Sequence, residues 1–338
     1  MIRMKKGFWC AAGLALLLLG ACQINDVKCD KECMDGWMDY GGSFRDSCAE
    51  DTNTHCLVSK RLSAPTSADL GKPVIIAVHG FTASTYEWEE FRNFAEDTAK
   101  SNPGALVSLV LLGGHGRDID SFQSSTWRDW GRPILSEYDS LVAKHFSNIS
   151  FAASSTGAAL LMQFIADGAF DSRPAPNRIY LIDPIVVPTS KILSLVDLVG
   201  PILGNSPNPG DSVENRHWYV NRPEEDLKQL YDLINRVKNH LEDGFRLPKS
   251  TLAKVYKSKH DNSADPVSAL LIYNGMRPSD GGRIDAELVD SRLHVFTRLQ
   301  GRNSTPSHAD SLLQQRAFQE MAAGVNQPRG VNQAWPRP

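Results

Sequence analysis

The chain has 338 residues, 41% of them hydrophobic and 22% charged, with a formal net charge of −3. That length and balance describe a globular protein with a substantial core, and the lack of a basic excess argues against nucleic acid as a partner. Residues 1–6 carry Arg3, Lys5 and Lys6, and residues 7–21 are uncharged and mostly apolar. This stretch is too short for an ordinary transmembrane span and reads as a secretory signal occupying residues 1–21.

Where the apolar run stops, Leu19-Gly20-Ala21-Cys22 resembles a bacterial lipoprotein box. The resemblance implies cleavage before Cys22, lipidation of its thiol and attachment to a membrane through that lipid. A plain signal peptide with an incidental cysteine is the alternative. Gln23 in place of an aspartate implies, by analogy, an outer-membrane anchor on the periplasmic or the surface side.

With Cys10 lost in the signal and Cys22 lipidated, Cys29, Cys33, Cys48 and Cys56 remain of the six cysteines. An even number crowded into one short exported segment predicts two disulfides, with three possible pairings. A zinc knuckle that includes His55 is the rival, disfavoured outside the cytosol. Residues 22–68 otherwise show no long periodicity and read as a small disulfide-stapled segment.

The main domain begins with residues 72–81, a β-branched run ending in His79-Gly80-Phe81, as a buried strand that delivers a loop to the carboxyl edge of a sheet. Residues 82–101 have helical spacing, and 105–112 form a second strand opening into Gly113-Gly114-His115-Gly116. Ser124-Ser125-Thr126-Trp127-Arg128-Asp129-Trp130 leads to a helical segment at 133–146. A short apolar run then passes through Ala153-Ser154-Ser155-Thr156-Gly157 into an alanine- and leucine-rich helix. A serine between strand and helix, with small residues two before and two after, is the pattern of a nucleophile elbow, although Ala153 replaces the first glycine. An ordinary strand-to-helix turn is the bland reading of the same residues. Another β-rich run follows at 178–187. The alternation since residue 72 predicts a doubly wound, mostly parallel α/β sheet, whose ligands bind at the carboxyl ends of its strands.

Residues 189–249 break the pattern and predict a helical cap. It includes 192–203 and an amphipathic helix at 223–241 with Leu227, Leu230, Tyr231, Ile234, Val237 and Leu241 on one face. Packing is the simplest use of that stripe, with contact to an acyl chain second. Residues 250–261 fit either a helix or a strand ending in a carboxylate. Residues 266–275 read as a buried strand closed by Asn274-Gly275, 284–290 as a short helix, 293–299 as an alternating strand and 311–323 as the closing helix. The tail, 324–338, is rich in Gly, Pro, Asn and Gln and is expected to fray. The domain plan is therefore 22–68, an α/β core at 69–188 and 250–323, and the cap between them.

A serine hydroxyl is a weak nucleophile unless a histidine takes its proton and a carboxylate orients that histidine. With an elbow serine the chain order is serine, acid, histidine. Asp280 with His308 and Asp261 with His294 both keep it. The first pair is preferred, because each member follows a predicted strand whereas His294 falls inside one. Backbone N–H groups of Phe81 and Thr156 are the natural donors of an oxyanion hole. His79 and His115, in tight loops, read as structural, and Trp127 and Trp130 as core or pocket wall.

Taken together, His79-Gly80-Phe81-Thr82, Gly114-His115-Gly116, Thr126-Trp127-Arg128-Asp129-Trp130, Ser155-Thr156-Gly157, the apolar run ending at Gly275 with Asp280, and Ser307-His308 resemble the α/β-hydrolases of the bacterial carboxylesterase and monoacylglycerol lipase type. The resemblance covers roughly residues 72–323. It implies a Ser155-His308-Asp280 triad, a small-molecule or lipid ester as substrate, an acyl-enzyme, and no metal or other cofactor. Departures are Ala153, Gly113 where a proline is common, a long gap between Gly275 and Asp280, and the cysteine-rich segment. A lactonase, amidase or peptidase on the same triad, or a non-catalytic surface lipoprotein using the fold as a binding module, are the alternatives. Oligomeric state is left open.

Overall fold

The computed structural model describes residues 46–49, 55–101, 104–189, 213, 216–219 and 223–327. The signal at 1–21, Cys22, Cys29, Cys33, the cap residues 192–203 and most of the expected tail lie outside the described residues.

Two short helices, α1 (Val58–Arg61) and α2 (Ser67–Leu70), precede β1 (Val74–Val78), which is buried at every position. A 3-10 turn (Thr85–Trp88) and α3 (Glu89–Ala95) lead to β2 (Leu106–Val110), then α4 (Ile119–Gln123) and α5 (Trp127–Ala143) lead to β3 (Ile149–Ser154). Next come α6 (Ser155–Ala166), β4 (Arg178–Ile182), α7 (Glu224–Asp243), β5 (Phe245–Arg246) and β6 (Leu252–Ser258). The chain closes with α8 (Val267–Gly275), β7 (Met276–Arg277), β8 (Asp285–Val289) and α9 (His308–Val325).

The main sheet has the order β2-β1-β3-β4-β6-β8, and all its pairings are parallel. Continuous apolar strands are stable only where both faces are covered, and here alternate residues feed two cores. Val74, Ile76 and Val78 join Trp130, Ile134, Tyr138, Leu160 and Leu233 on one side. Ile75 and Ala77 join Trp88, Phe91, Phe318 and Met321 on the other. Helices α5, α6 and α7 therefore cover one face and α3 and α9 the other, the doubly wound parallel architecture that the alternating elements predict. Each large side chain so buried contributes about 1.5–3 kcal/mol. No helix among the described residues is long and apolar enough to cross a membrane.

The Thr-Trp-x-Asp-Trp segment starts α5 through a capping box. Asp129 N–H donates to Thr126 Oγ1 at 3.4 Å, and Thr126 N–H donates to the Asp129 carboxylate at 2.9 Å. Trp127 and Trp130, on the inner side of that first turn, are buried. In α7 the buried stripe is Leu227, Leu230, Leu233, Ile234, Val237 and Leu241. Tyr231, expected on that stripe, is 41% exposed, because a 3.6-residue period carries Leu233 inward in its place.

Three expected elements differ. Residues 266–275, read as a strand, form helix α8, since an apolar run of this length fits either state by periodicity alone. Its Leu270 is 58% exposed while Ala269 and Ile272 are buried. Gly275 lets α8 close on α7, because a Cβ there would lie 2.1 Å from the Leu241 carbonyl oxygen. Residues 284–290, read as a short helix, supply edge strand β8, where pairing with β6 outweighs the helix preference of Ala286, Glu287 and Leu288. Residues 293–299, read as a strand, form no strand. Leu293 and Phe296 sink into the second core while Arg302 donates to the carbonyls of His294 and Val295 at 2.9 and 2.6 Å.

At the amino end, Cys48 and Cys56 are joined in a disulfide with Cα atoms 5.8 Å apart. Their sulfurs are therefore not thiolate ligands, although His55 lies beside them. Asp46, just ahead of the bridge, donates its N–H to Gly116 O at 3.0 Å and accepts the Thr85 N–H at 2.8 Å. Beyond the bridge, Cys56 O accepts the N–H of Leu109, in β2, at 2.7 Å.

Candidate active site

Strand β3 hands over to α6 at Ser155, a non-glycine residue with φ of +46°. Left-handed backbone of this kind costs about 1–3 kcal/mol and persists only where the surroundings enforce it. Gly157 is one reason it persists. A Cβ at that position would lie 2.5 Å from His79 O and 2.8 Å from Val78 O, so the end of β1 packs directly on the first turn of α6.

The side chain so presented is 5% exposed, and its Oγ lies 2.8 Å from His294 Nε2. The other ring nitrogen, Nδ1, lies 2.7 Å from Asp261 Oδ2. An ionised carboxylate only accepts, so Nδ1–H donates to Asp261 and Nε2 is left to accept the Ser155 hydroxyl proton. The second oxygen of Asp261 accepts the N–H groups of Ser263 and Ala264 at 2.7 and 3.2 Å. Burial alone would raise the Asp261 carboxyl, but His294 and Lys257 outweigh it and hold the group well below the usual carboxylate range.

The preferred pair is not at this site. Asp280 is exposed and accepts the N–H of Gly282 at 2.9 Å, closing its own turn. His308 is the exposed first residue of α9, beside its cap Ser307. The reason is topological. Once 266–275 is a helix, Asp280 no longer follows a main-sheet strand, while Asp261 follows β6 and His294 follows β8. Neighbouring parallel strands bring their carboxyl ends together, and β4 pairs with both β3 and β6.

Phe81 and Thr156 lie on either side of the serine, after β1 and at the second position of α6. Among the described residues neither backbone N–H donates a hydrogen bond. The preceding N–H, of Gly80, is taken at 3.0 Å by Glu87, which also accepts the Ser154 hydroxyl. Burial raises the Glu87 carboxyl despite those bonds and the charge of His294. His79 ties the same loop to β2: its Nδ1–H donates to Gly80 O at 2.8 Å and its Nε2 accepts the Leu112 N–H at 3.1 Å. The neutral imidazole thus has one nitrogen donating and the other accepting, and burial pushes its pKa down to about 4. His115 is likewise buried, with Nδ1 on Gly113 O at 3.0 Å.

Glu87, Asp183 and Lys257 were not legible as site residues in the sequence. The one available signal for Asp183 was an acid closing an apolar strand; Lys257 shares its strand with Lys254 and carried none.

No family model matches the chain, and no curated protein does. Solved structures do. A metagenome-derived lipolytic enzyme described with the LipS and LipT pair is 22% identical at a TM-score of 0.51, covering 73% of this chain and 92% of that one. A soluble variant of monoglyceride lipase from Saccharomyces cerevisiae, in complex with a substrate analogue, is 11% identical at 0.54, covering 76% and 88%. The monoacylglycerol lipase of Paleococcus ferrophilus is 13% identical at 0.52, covering 76% and 97%. The parallel sheet, the serine turn between β3 and α6 and these likenesses give the chain the α/β-hydrolase fold.

Proposed function

We propose that the protein is a serine hydrolase of carboxylic esters, working through an acyl-enzyme on a small-molecule or lipid ester. The series Ser155 Oγ, His294 Nε2, His294 Nδ1 and Asp261 Oδ2, with links of 2.8 and 2.7 Å, is the observation that carries this reading. His294 takes the proton of Ser155 as its oxygen attacks the ester carbonyl, and the resulting imidazolium is stabilised by Asp261. The N–H groups of Phe81 and Thr156 receive the oxyanion, each worth about 3–4 kcal/mol in catalysis. His294 then protonates the departing alcohol, and water, activated by the same imidazole, releases the acid. The lipolytic and monoglyceride lipase neighbours favour an acyl ester over an amide.

Replacing Ser155 with alanine tests this directly. Hydrolysis of p-nitrophenyl acetate should fall at least 1,000-fold with the circular dichroism spectrum unchanged. Turnover that survives the substitution, or failure of the parent to be labelled at Ser155 by a fluorophosphonate, sinks the assignment and favours a binding module. On the same footing we assign the protein to the exported lipoproteins, anchored through Cys22. Incorporation of labelled palmitate by the parent but not by Cys22→Ser checks that.

A further inference from the structure

The acid beside His294 is not held by the imidazole alone. Lys257, the sixth residue of β6, is fully buried, with Nζ 2.5 Å from Asp261 Oδ2 and 3.1 Å from Asp183 Oδ1. The Asp261 oxygen it reaches is the one that faces His294 Nδ1. Asp183, which follows β4 with φ of +45°, is buried too. Its carboxylate accepts the Ser258 N–H at 2.7 Å and the Val295 N–H at 3.0 Å. One ammonium and two carboxylates thus join the ends of β4 and β6 to the main chain next to His294.

A carboxylate orients an imidazole and also stabilises its protonated form. Sharing the accepting oxygen with an ammonium keeps the first effect and reduces the second. We propose that Lys257 is a positioning residue: it holds the Asp261 carboxylate against His294, ties both to Asp183 and the Val295 backbone, and weakens the pull of that carboxylate on the imidazole proton. The imidazole then stays a base in more acidic solution than an unshared carboxylate would permit. Asp183 opposes the lysine in charge while sharing its anchoring role. Glu87, whose carboxyl feels His294, and Arg302, which donates to the His294 and Val295 carbonyls, also lie by the ring, and His260, Asp290, Arg292 and Asp310 line the same pocket.

This rests on the Ser155-His294-Asp261 reading, so the test needs a measurement that does not depend on turnover. The full chain is compared with Lys257→Met, Asp183→Asn and the Lys257→Met/Asp183→Asn double variant. The pH dependence of kcat/KM on p-nitrophenyl acetate is measured alongside the NMR titration of the His294 ring proton. Removing the ammonium should raise the acid midpoint by about one to two pH units in both measurements. Removing the carboxylate should lower it by about half to one unit. The double variant, which deletes one charge of each sign, should fall between the two and keeps the question open to refutation if Lys257→Met alone does not fold. Midpoints that stay put, or move the same way in both single variants, overturn the proposal and leave Lys257 as buried packing. A parent that hydrolyses no ester, with the ring-proton midpoint moving as stated in the variants, would instead sink the esterase reading alone.

Discussion

Asp261 and Asp226 are both closed off from water, at 6% and 0% exposure, yet their carboxyls move in opposite directions. Asp261 has two backbone N–H groups, an ammonium and an imidazole around it and is held low. Asp226, in the first turn of α7, has no hydrogen-bond partner for either oxygen among the described residues, and burial, with Glu225 nearby, pushes it up to about 7. Burial penalises the charge in both; only the partners differ. Around Asp261 polar groups answer one another, whereas α7 carries a carboxyl that no group among the described residues pairs.

The largest way to break that contrast is Asp261→Asn, which keeps the shape and removes the charge. The wrong tautomer of His294 would then face Ser155, and kcat should fall about 10,000-fold in a stopped assay with p-nitrophenyl acetate. The converse change is Asp226→Asn. An ordinary aspartate ionises near 3.8 and this one at about 7 when folded, so between those values the folded chain keeps a proton that the unfolded chain has lost. Stability therefore falls as pH rises through that window, and the substitution should recover about 1–3 kcal/mol at pH 8 and little at pH 4, read by urea unfolding. For Asp261 the sign reverses, its contribution being present above the unfolded value and lost as pH falls. A smaller change is Thr126→Ala, which removes the hydroxyl that accepts the Asp129 N–H at the start of α5 and should cost about 1 kcal/mol in the same unfolding measurement. Least of all, Asp280→Asn and His308→Ala should leave kcat/KM within about twofold, since neither residue meets Ser155.

The core was legible where one physical requirement dominated. Two-sided burial made 72–81 and 105–112 readable as strands, the small-residue spacing around Ser155 marked the turn, and a 3.6-residue stripe marked α7. Between 266 and 299 the same clues misled. Ala269 to Tyr273 is apolar enough for either state, Asp285 to Val289 becomes a strand only because β6 is beside it, and the alternation around His294 comes from a loop that dips into the second core. The preference for Asp280 and His308 follows from those element readings. A histidine inside an alternating strand is a weaker candidate base than one in a loop, so the sequence favours His308 over His294 and Asp280 over Asp261, although 250–261 ending in a carboxylate is one of its two readings. Local pattern marks the turn at Ser155; the order of strands in space, which no local pattern carries, decides which side chains it meets.

The bridge between Cys48 and Cys56 bears on how a shortened protein would behave. Trimming to Leu57, an obvious step for avoiding stray thiols in a reducing host, would discard Asp46 and with it the acceptor for the buried Thr85 N–H, three residues beyond Thr82 in the segment that follows Phe81. An orphaned amide there costs about 1–3 kcal/mol and frees the turn that positions Glu87 against Gly80. Oxidative production with residues 46–56 intact is accordingly the sound starting point for crystallisation or screening.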